Sequence, residues 1–227
     1  MEKEIYQVKL GINSCYLIRG KWVVMVDGGA PHRVNDFKRK LDQLGIRPDE
    51  IKLIVLTHSH FDHAGSARDI QELTGAKIAY HEKEKEFLDG DGFAMPKGVN
   101  TWGKISRPLL FPFLKKIRFP RVKADILINE QGYALDEFGL NGSIICTPGH
   151  TAGSISVLLK TGEAFVGCMA HNNLPFRFRP GFPIYAQDID QIKENWKLLL
   201  GKGAKYVYPG HGNPFPVEVI RRALKEL

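Results

Sequence analysis

His58, His60, Asp62 and His63 stand within six residues of one another. Four metal-competent side chains in so short a run point to a metal site, because imidazole and carboxylate are the usual donors to zinc and related divalent ions. His58 and His60 are two apart. At an extended strand end they face the same way and can share one ion. His150 follows another apolar run, in the turn Pro148-Gly149-His150, and offers a third nitrogen. Three neutral imidazoles with an open fourth position make up the ligand set of catalytic zinc. Asp62 and His63 would crowd that ion and instead fit a second one, with His211 of Pro209-Gly210-His211-Gly212 as a further ligand. Two ions about 3.5–4 Å apart can share a hydroxide and hold both the attacking and the departing oxygen.

Such side chains need rigid elements behind them. Residues 51–56 are nearly continuous apolar and predict a central strand covered on both faces. That strand delivers the histidine run at a strand-to-helix junction, and the helix after it ends near Leu73-Thr74-Gly75. Upstream, residues 5–10, 14–18 and 22–26 read as strands with Gly or Asn turns, the last ending at Asp27-Gly28-Gly29. Residues 34–44 have helical spacing closed by Gly45. Residues 77–80 form a short strand, and 81–88 are polar and helix-prone. Residues 126–128 and 132–135 read as strands flanking a turn, and 143–147 as a strand running into the His150 turn. Residues 154–159 and 164–167 form a hairpin, with Cys168-Met169-Ala170-His171 directly after it. Residues 172–183 are an aromatic, proline-containing loop with Phe176, Arg177, Phe178, Arg179 and Phe182. A helix at 189–200, a strand at 205–208 and a helix at 217–227 complete the chain. Strands followed by helices in each half predict two similar halves in one α/β (α+β) domain spanning 1–227.

Four runs carry a family resemblance: the His-x-His-x-Asp-His-x-Gly run from His58 to Gly65, Thr147-Pro148-Gly149-His150-Thr151, Gly167-Cys168, and Pro209-Gly210-His211-Gly212. With Val26-Asp27-Gly28-Gly29 as a strand-end Asp-x-Gly signature, the chain resembles the metallo-β-lactamase fold superfamily over nearly its whole length, in its lactonase and glyoxalase II-like branch. The resemblance implies a four-layer αββα sandwich. It also implies a zinc-activated hydroxide that attacks an ester, thioester, lactone, amide or phosphodiester. One position departs from the pattern. Many hydrolases of the superfamily carry a bridging aspartate after the glycine, where this chain has Cys168. Its thiolate is expected to ligate the second ion, sulfur being a good zinc ligand; the alternative is a small buried residue beside a one-ion centre. His171 lies near the place where related lactonases keep a substrate-facing tyrosine, which implies that it orients substrate or protonates a leaving group. The candidate metal ligands are therefore His58, His60, Asp62, His63, His150, Cys168 and His211, with Asp62 and His171 as candidate catalytic residues. The expected cofactor is Zn2+, one or two ions per chain, with iron or manganese as alternatives. Cys15 and Cys146 read as core residues, and His32 and His81 as surface residues.

The 227 residues, 43% hydrophobic and 25% charged, have the composition of an ordinary globular protein. No apolar run of about 18 residues exists to span a membrane. Met1-Glu2-Lys3-Glu4 leads straight into strand-like residues without a signal-peptide core, and three cysteines make no disulfide framework; a cytoplasmic protein is expected. The net charge of +7 is local. Residues 92–124 hold eight basic side chains and no acid, leaving 24 basic against 25 acidic residues elsewhere. This stretch also carries Pro96, Pro108, Pro112 and Pro120 among Phe93, Trp102, Phe111, Phe113 and Phe119. It reads as an insertion at about 89–125, either a cover over the metal site or a packed surface segment. The favoured function is hydrolysis of a small-molecule ester, thioester or lactone. The alternatives are a nuclease or phosphodiesterase that uses the basic segment on nucleic acid, a β-lactamase suggested by Cys168, and a mononuclear iron dioxygenase of sulfur compounds. His60 stands where the flavin-partnered diiron relatives carry a glutamate, which disfavours that branch. A glyoxalase II assignment expects a C-terminal glutathione-binding region, and only 16 residues follow His211.

Overall fold

The structure, a computed structural model, describes residues 4–90, 95–172 and 178–225. Of the aromatic and basic residues noted above, Phe93, Phe176 and Arg177 lie outside the described residues.

The chain opens with β1 (Glu4–Leu10), β2 (Asn13–Arg19) and β3 (Val23–Val26), followed by α1 (Val34–Leu44), β4 (Ile51–Val55), α2 (Phe61–Ala64), α3 (Ala67–Thr74) and β5 (Lys77–His81). Next come α4 (Lys85–Asp89), β6 (Lys97–Gly98), α5 (Thr101–Leu114), β7 (Ile126–Ile128), β8 (Tyr133–Ala134) and β9 (Gly142–Cys146). The last part holds β10 (Ile155–Leu159), β11 (Glu163–Asn172), β12 (Tyr185–Ala186), α6 (Ile189–Gly201), β13 (Tyr206–Gly212), β14 (Phe215–Pro216) and α7 (Glu218–Lys225). Two six-stranded mixed sheets result, in the orders β1-β2-β3-β4-β5-β7 and β14-β13-β11-β10-β9-β8.

Three apolar clusters define four layers. Val24, Val26, Leu53 and Val55 of the first sheet meet Ile144, Ile155, Val157 and Phe165 of the second in the central core. Other side chains of the same strands, Val23, Met25, Ile51 and Ile54, pack against Phe37, Leu41 and Ile70 of α1 and α3. Outside the second sheet, Ala164, Val166 and Val207 pack on Ile192, Trp196 and Leu199 of α6 and Ile220 of α7. Both faces of β3 and β4 are thus covered, which is why these strands read as unbroken apolar runs. The architecture is αββα, as the sequence motifs imply.

The strands at 126–128 and 133–134 flank a turn, as read from the sequence, and belong to different sheets: β7 closes the first and β8 the second. Two elements differ from the sequence reading. The strand predicted to stop at Gly167 runs on to Asn172, with register shifts on either side of Gly167 where it pairs with β13. Such irregularities re-aim side chains, and this one carries Cys168. Gly167 has a φ of +51°, and a Cβ there would sit 2.4 Å from Thr57 Oγ1, so only glycine fits. Finally, residues 101–114 are helical despite Pro108 and Pro112, each of which costs about 3 kcal/mol within a helix. Tertiary contacts offset that cost. Asn100 caps the Gly103 amide at 2.8 Å, Arg107 donates to the carbonyls of Pro96 and Met95, and Ser106 bonds the Tyr185 hydroxyl at 2.5 Å. The pairing of β6 with β12 anchors the same segment.

Candidate metal centre

The candidate residues converge at one end of both sheets. His58, His60, Asp62 and His63 follow β4, His150 sits in the turn between β9 and β10, Cys168 lies within β11, and His211 near the end of β13. His58 Nε2 and His150 Nε2 approach His60 Nδ1 to 3.0 and 3.2 Å. His63 Nε2 lies 3.1 Å from Cys168 Sγ, and His211 Nε2 lies 3.2 Å from Asp62 Oδ2. Cys168 belongs to two donor groups, one with His58 and His150 and the other with His63 and His211, each with its donor atoms within 4.8 Å. The thiol is thus the donor common to both groups.

The outward nitrogens explain the orientation. The Thr57 hydroxyl donates to the Asp27 carboxylate, so His58 donates from Nδ1 to Thr57 Oγ1 at 3.0 Å. His63 donates from Nδ1 to Asp27 Oδ2 at 2.8 Å, His150 to the Tyr185 carbonyl at 2.9 Å and His211 to the Ile12 carbonyl at 3.1 Å. In these four rings Nδ1 is engaged outward and Nε2 turns inward, the pattern by which outer partners hold metal-ligating imidazoles, whereas His60 turns its Nδ1 inward. Asp27 is buried with a φ of +62° and also accepts from the Thr57 amide. One carboxylate thus fixes His58 and His63 together.

Electrostatics divide the donors. Burial, then the nearby His63 and His60, holds His58 well below the ordinary histidine value. Burial and then His150 bring His60 down to about 4. His63 and His211 go the other way. Burial opposes their charge, but Cys168 overcomes it, helped by Asp27 at His63 and by Asp62 at His211, and His211 rises to about 10. Burial likewise works against charge on Cys168 and Asp62, yet His63 and His211 hold the thiol far below its usual range and the carboxyl below its own. Neutral His58 and His60, a thiolate and a carboxylate thus stand beside protonated His63 and His211. A divalent cation can replace those protons, the usual exchange when metal enters such a set. The residues fit a metal.

The profile described as "Metallo-beta-lactamase superfamily" matches residues 8–211. The chain belongs to this superfamily. It is a hydrolase of the metallo-β-lactamase fold, a fold whose enzymes bind metal ions. A probable metallo-hydrolase of Methanocaldococcus jannaschii is 29% identical, covering 88% of this chain and 87% of its own length. A probable metallo-hydrolase of Bacillus subtilis is 28% identical, covering 90% and 80%. Among solved structures, an archaeal metallo-β-lactamase superfamily protein from Sulfolobus tokodaii superposes with a TM-score of 0.71 at 21% identity, covering 100% of this chain and 86% of that one. Another, solved in a di-iron-bound form, gives a TM-score of 0.67 at 18% identity, covering 98% and 100%.

The superfamily member's donor cluster floors a cavity of about 250 Å³. Its walls are Ile12, Phe61, Met95, Pro96, Leu110 and Leu114, and no lysine or arginine lines it among the described residues. His171 also lines it, its ring 5.0 Å from that of His211 and nearly perpendicular to it. Burial lowers His171 to about 4, so the ring is neutral near pH 7.

Two residues read as ordinary from the sequence are not. His81, expected at the surface, is buried, because β5 places it beneath the turn after β7. Its Nδ1 accepts from the Lys83 amide, and Nε2 lies 3.8 Å from Glu130 Oε1. Cys146, expected in the core, is half-exposed and donates to the Asn129 carbonyl. His81, Glu130 and Cys146 bring their donor atoms within 4.8 Å. Lys83 Nζ already bonds Glu130 at 2.6 Å, so this group is internally satisfied.

Glu84 escapes sequence reading altogether, being one acid in a polar helix-prone run. It is 1% exposed and accepts from the Ser59 amide at 2.9 Å, the Thr151 hydroxyl at 2.7 Å and the Gly153 amide at 3.0 Å. It joins the loop of His58 and His60 to the loop of His150 from outside the cavity. Glu84→Gln would set an amide NH2 against one of these donors. We expect a folded protein whose metal affinity falls about 10–100-fold, as measured by competition with a chelator. Unchanged affinity would leave Glu84 a loop brace without influence on the centre.

Proposed function

We propose that the chain hydrolyses esters, thioesters or lactones with an apolar acyl group, using one ion held by His58, His60 and His150 and a second held by Asp62, His63, Cys168 and His211. The observation that carries this reading is the placement of the donor cluster at the floor of a cavity whose walls, among the described residues, are apolar. The ion supplies Lewis acidity to water and to the scissile carbonyl. The thiolate favours zinc over iron or manganese. Three free cysteines suit a reducing, cytoplasmic compartment.

The protein's own groups do the rest. Ile12, Phe61, Leu110 and Leu114 receive the acyl chain and exclude bulk water. Neutral His171 donates a hydrogen bond to the substrate or its leaving group. The 89–125 segment acts as a lid, with α5 held to Tyr185 through Ser106 while the Tyr185 carbonyl holds His150. Among the described residues the walls carry no lysine or arginine, so beyond the ions themselves a phosphodiester or a free carboxylate would meet no cationic side chain there, which argues against the nuclease and β-lactamase alternatives.

The test pairs metal analysis of protein purified without added metal with a panel of lactones, thioesters, carboxylic esters, phosphodiesters and β-lactams. Fastest turnover on a phosphodiester or a β-lactam would overturn the substrate assignment. Leu110→Ala with Leu114→Ala extends it. KM for a long-chain acyl ester should rise about tenfold, while that for the acetyl ester stays within about twofold, since only the longer chain loses the apolar contact. Equal changes in both would mean that α5 does not contact the acyl chain.

A further inference from the structure

We propose that the exposed face of α5, with the basic run that follows it, docks on an anionic lipid surface. Trp102, Ile105, Leu109 and Phe113 are 50%, 54%, 67% and 70% exposed. Their spacing of three, four and four residues places them within about a quarter-turn of one another on a helix of 3.6 residues per turn. Single exposed apolar residues are ordinary, but a contiguous stripe of four large ones marks an interaction surface. The helix ends into Lys115, Lys116, Arg118, Arg121 and Lys123, all exposed, and no acid occurs anywhere in residues 92–124.

Apolar stripe and basic run are the two halves of an interfacial helix: side chains that enter the acyl boundary and cations that meet anionic headgroups. The fourteen residues of α5 rise about 21 Å, short of a ~30 Å hydrocarbon core, so the helix lies in the interface and does not cross it. No helix among the described residues is long and apolar enough to cross. The other occupants fit less well. A second copy of the chain would bring the same basic run against itself. Nucleic acid would set phosphates on four large apolar side chains. The lipid reading also gives the helix continuity with the cavity, because Leu110 and Leu114, on the next face of α5, line the apolar wall above the metal donors. An amphiphile leaving the surface meets an apolar path to the centre.

The test uses the whole protein and sedimentation with vesicles of phosphatidylcholine alone or mixed with phosphatidylglycerol. We expect binding to the mixed vesicles, little to phosphatidylcholine alone, and weakening by salt. Lys115→Glu with Lys116→Glu should lower the partition coefficient by more than about tenfold, at roughly fivefold for each charge removed. Leu109→Asp with Phe113→Asp should lower it by at least as much. Neither pair lines the cavity, and far-ultraviolet circular dichroism and a thermal midpoint like the parent's show that both proteins are folded. In the parent protein, brominated lipid should quench a share of the fluorescence that Trp102→Phe removes.

Absence of binding to the mixed vesicles would overturn the proposal, as would variants that bind like the parent or a dimer that Leu109→Asp dissolves. Salt-sensitive RNA binding with no vesicle binding would overturn it too. Vesicle binding by a protein inactive on the whole ester, thioester and lactone panel would uphold the docking surface and sink the substrate assignment, so the two readings fail separately.

Discussion

A His150→Ala protein is expected to fold, to lose the ion proposed to sit between His58, His60 and His150, and to fall in kcat/KM by on the order of 10³ or more. His58 and His60 come from one loop of the first sheet, whereas His150 comes from the second. Its removal leaves two nitrogens from a single strand end, too few to hold an ion in a fixed geometry. The Tyr185 carbonyl also loses the ring that it orients. The fold should survive, because the truncated ring faces the cavity and Glu84 still joins the two loops through Thr151 and Gly153. Metal analysis and hydrolysis rates decide the matter. A variant with full metal content and full activity would remove His150 from the centre.

The second large effect concerns Cys168. Its sulfur lies within reach of both donor groups and, held as a thiolate by His63 and His211, offers a soft anionic ligand. Cys168→Ser exchanges that ligand for a hydroxyl, a poor anion. Affinity for the second ion should fall by more than the ~10–100-fold that follows loss of an outer partner, while the three-histidine site keeps its ion. Cys168→Asp restores an anionic ligand and should recover second-ion occupancy with broader metal tolerance, because carboxylate oxygen accepts manganese and iron more readily than sulfur does. Cobalt-loaded parent protein should show a thiolate-to-metal charge-transfer band that Cys168→Ser abolishes. If the band is missing and the serine protein retains two ions, the thiolate is a bystander.

Much of this centre is legible in the sequence, for a local reason. His58, His60, Asp62 and His63 sit on one continuous stretch after an apolar strand, so spacing alone brings them together. The glycine-flanked turns of His150 and His211 announce themselves in the same way, and the apolar runs of β3 and β4 show that both faces are covered. What the sequence does not contain is the pairing of distant surfaces. Alternation assigns a side chain to a face but does not name the neighbour across the core, so nothing in the sequence tells that β7 and β8, on either side of one turn, lie in different sheets. Glu84 is one acid among several until folding buries it against Ser59, Thr151 and Gly153. The burial of His81 depends on a strand more than forty residues away, Ile128 being its partner across β5 and β7. The helix at 101–114 contradicts the local proline penalty and stands because Arg107, Ser106 and Asn100 reach partners that exist only in the folded chain. The sequence by itself determines which chemistry the protein can hold; the tertiary structure decides which donors share a cavity, what orients them and what lines the path to them, because those contacts join residues that only folding brings together.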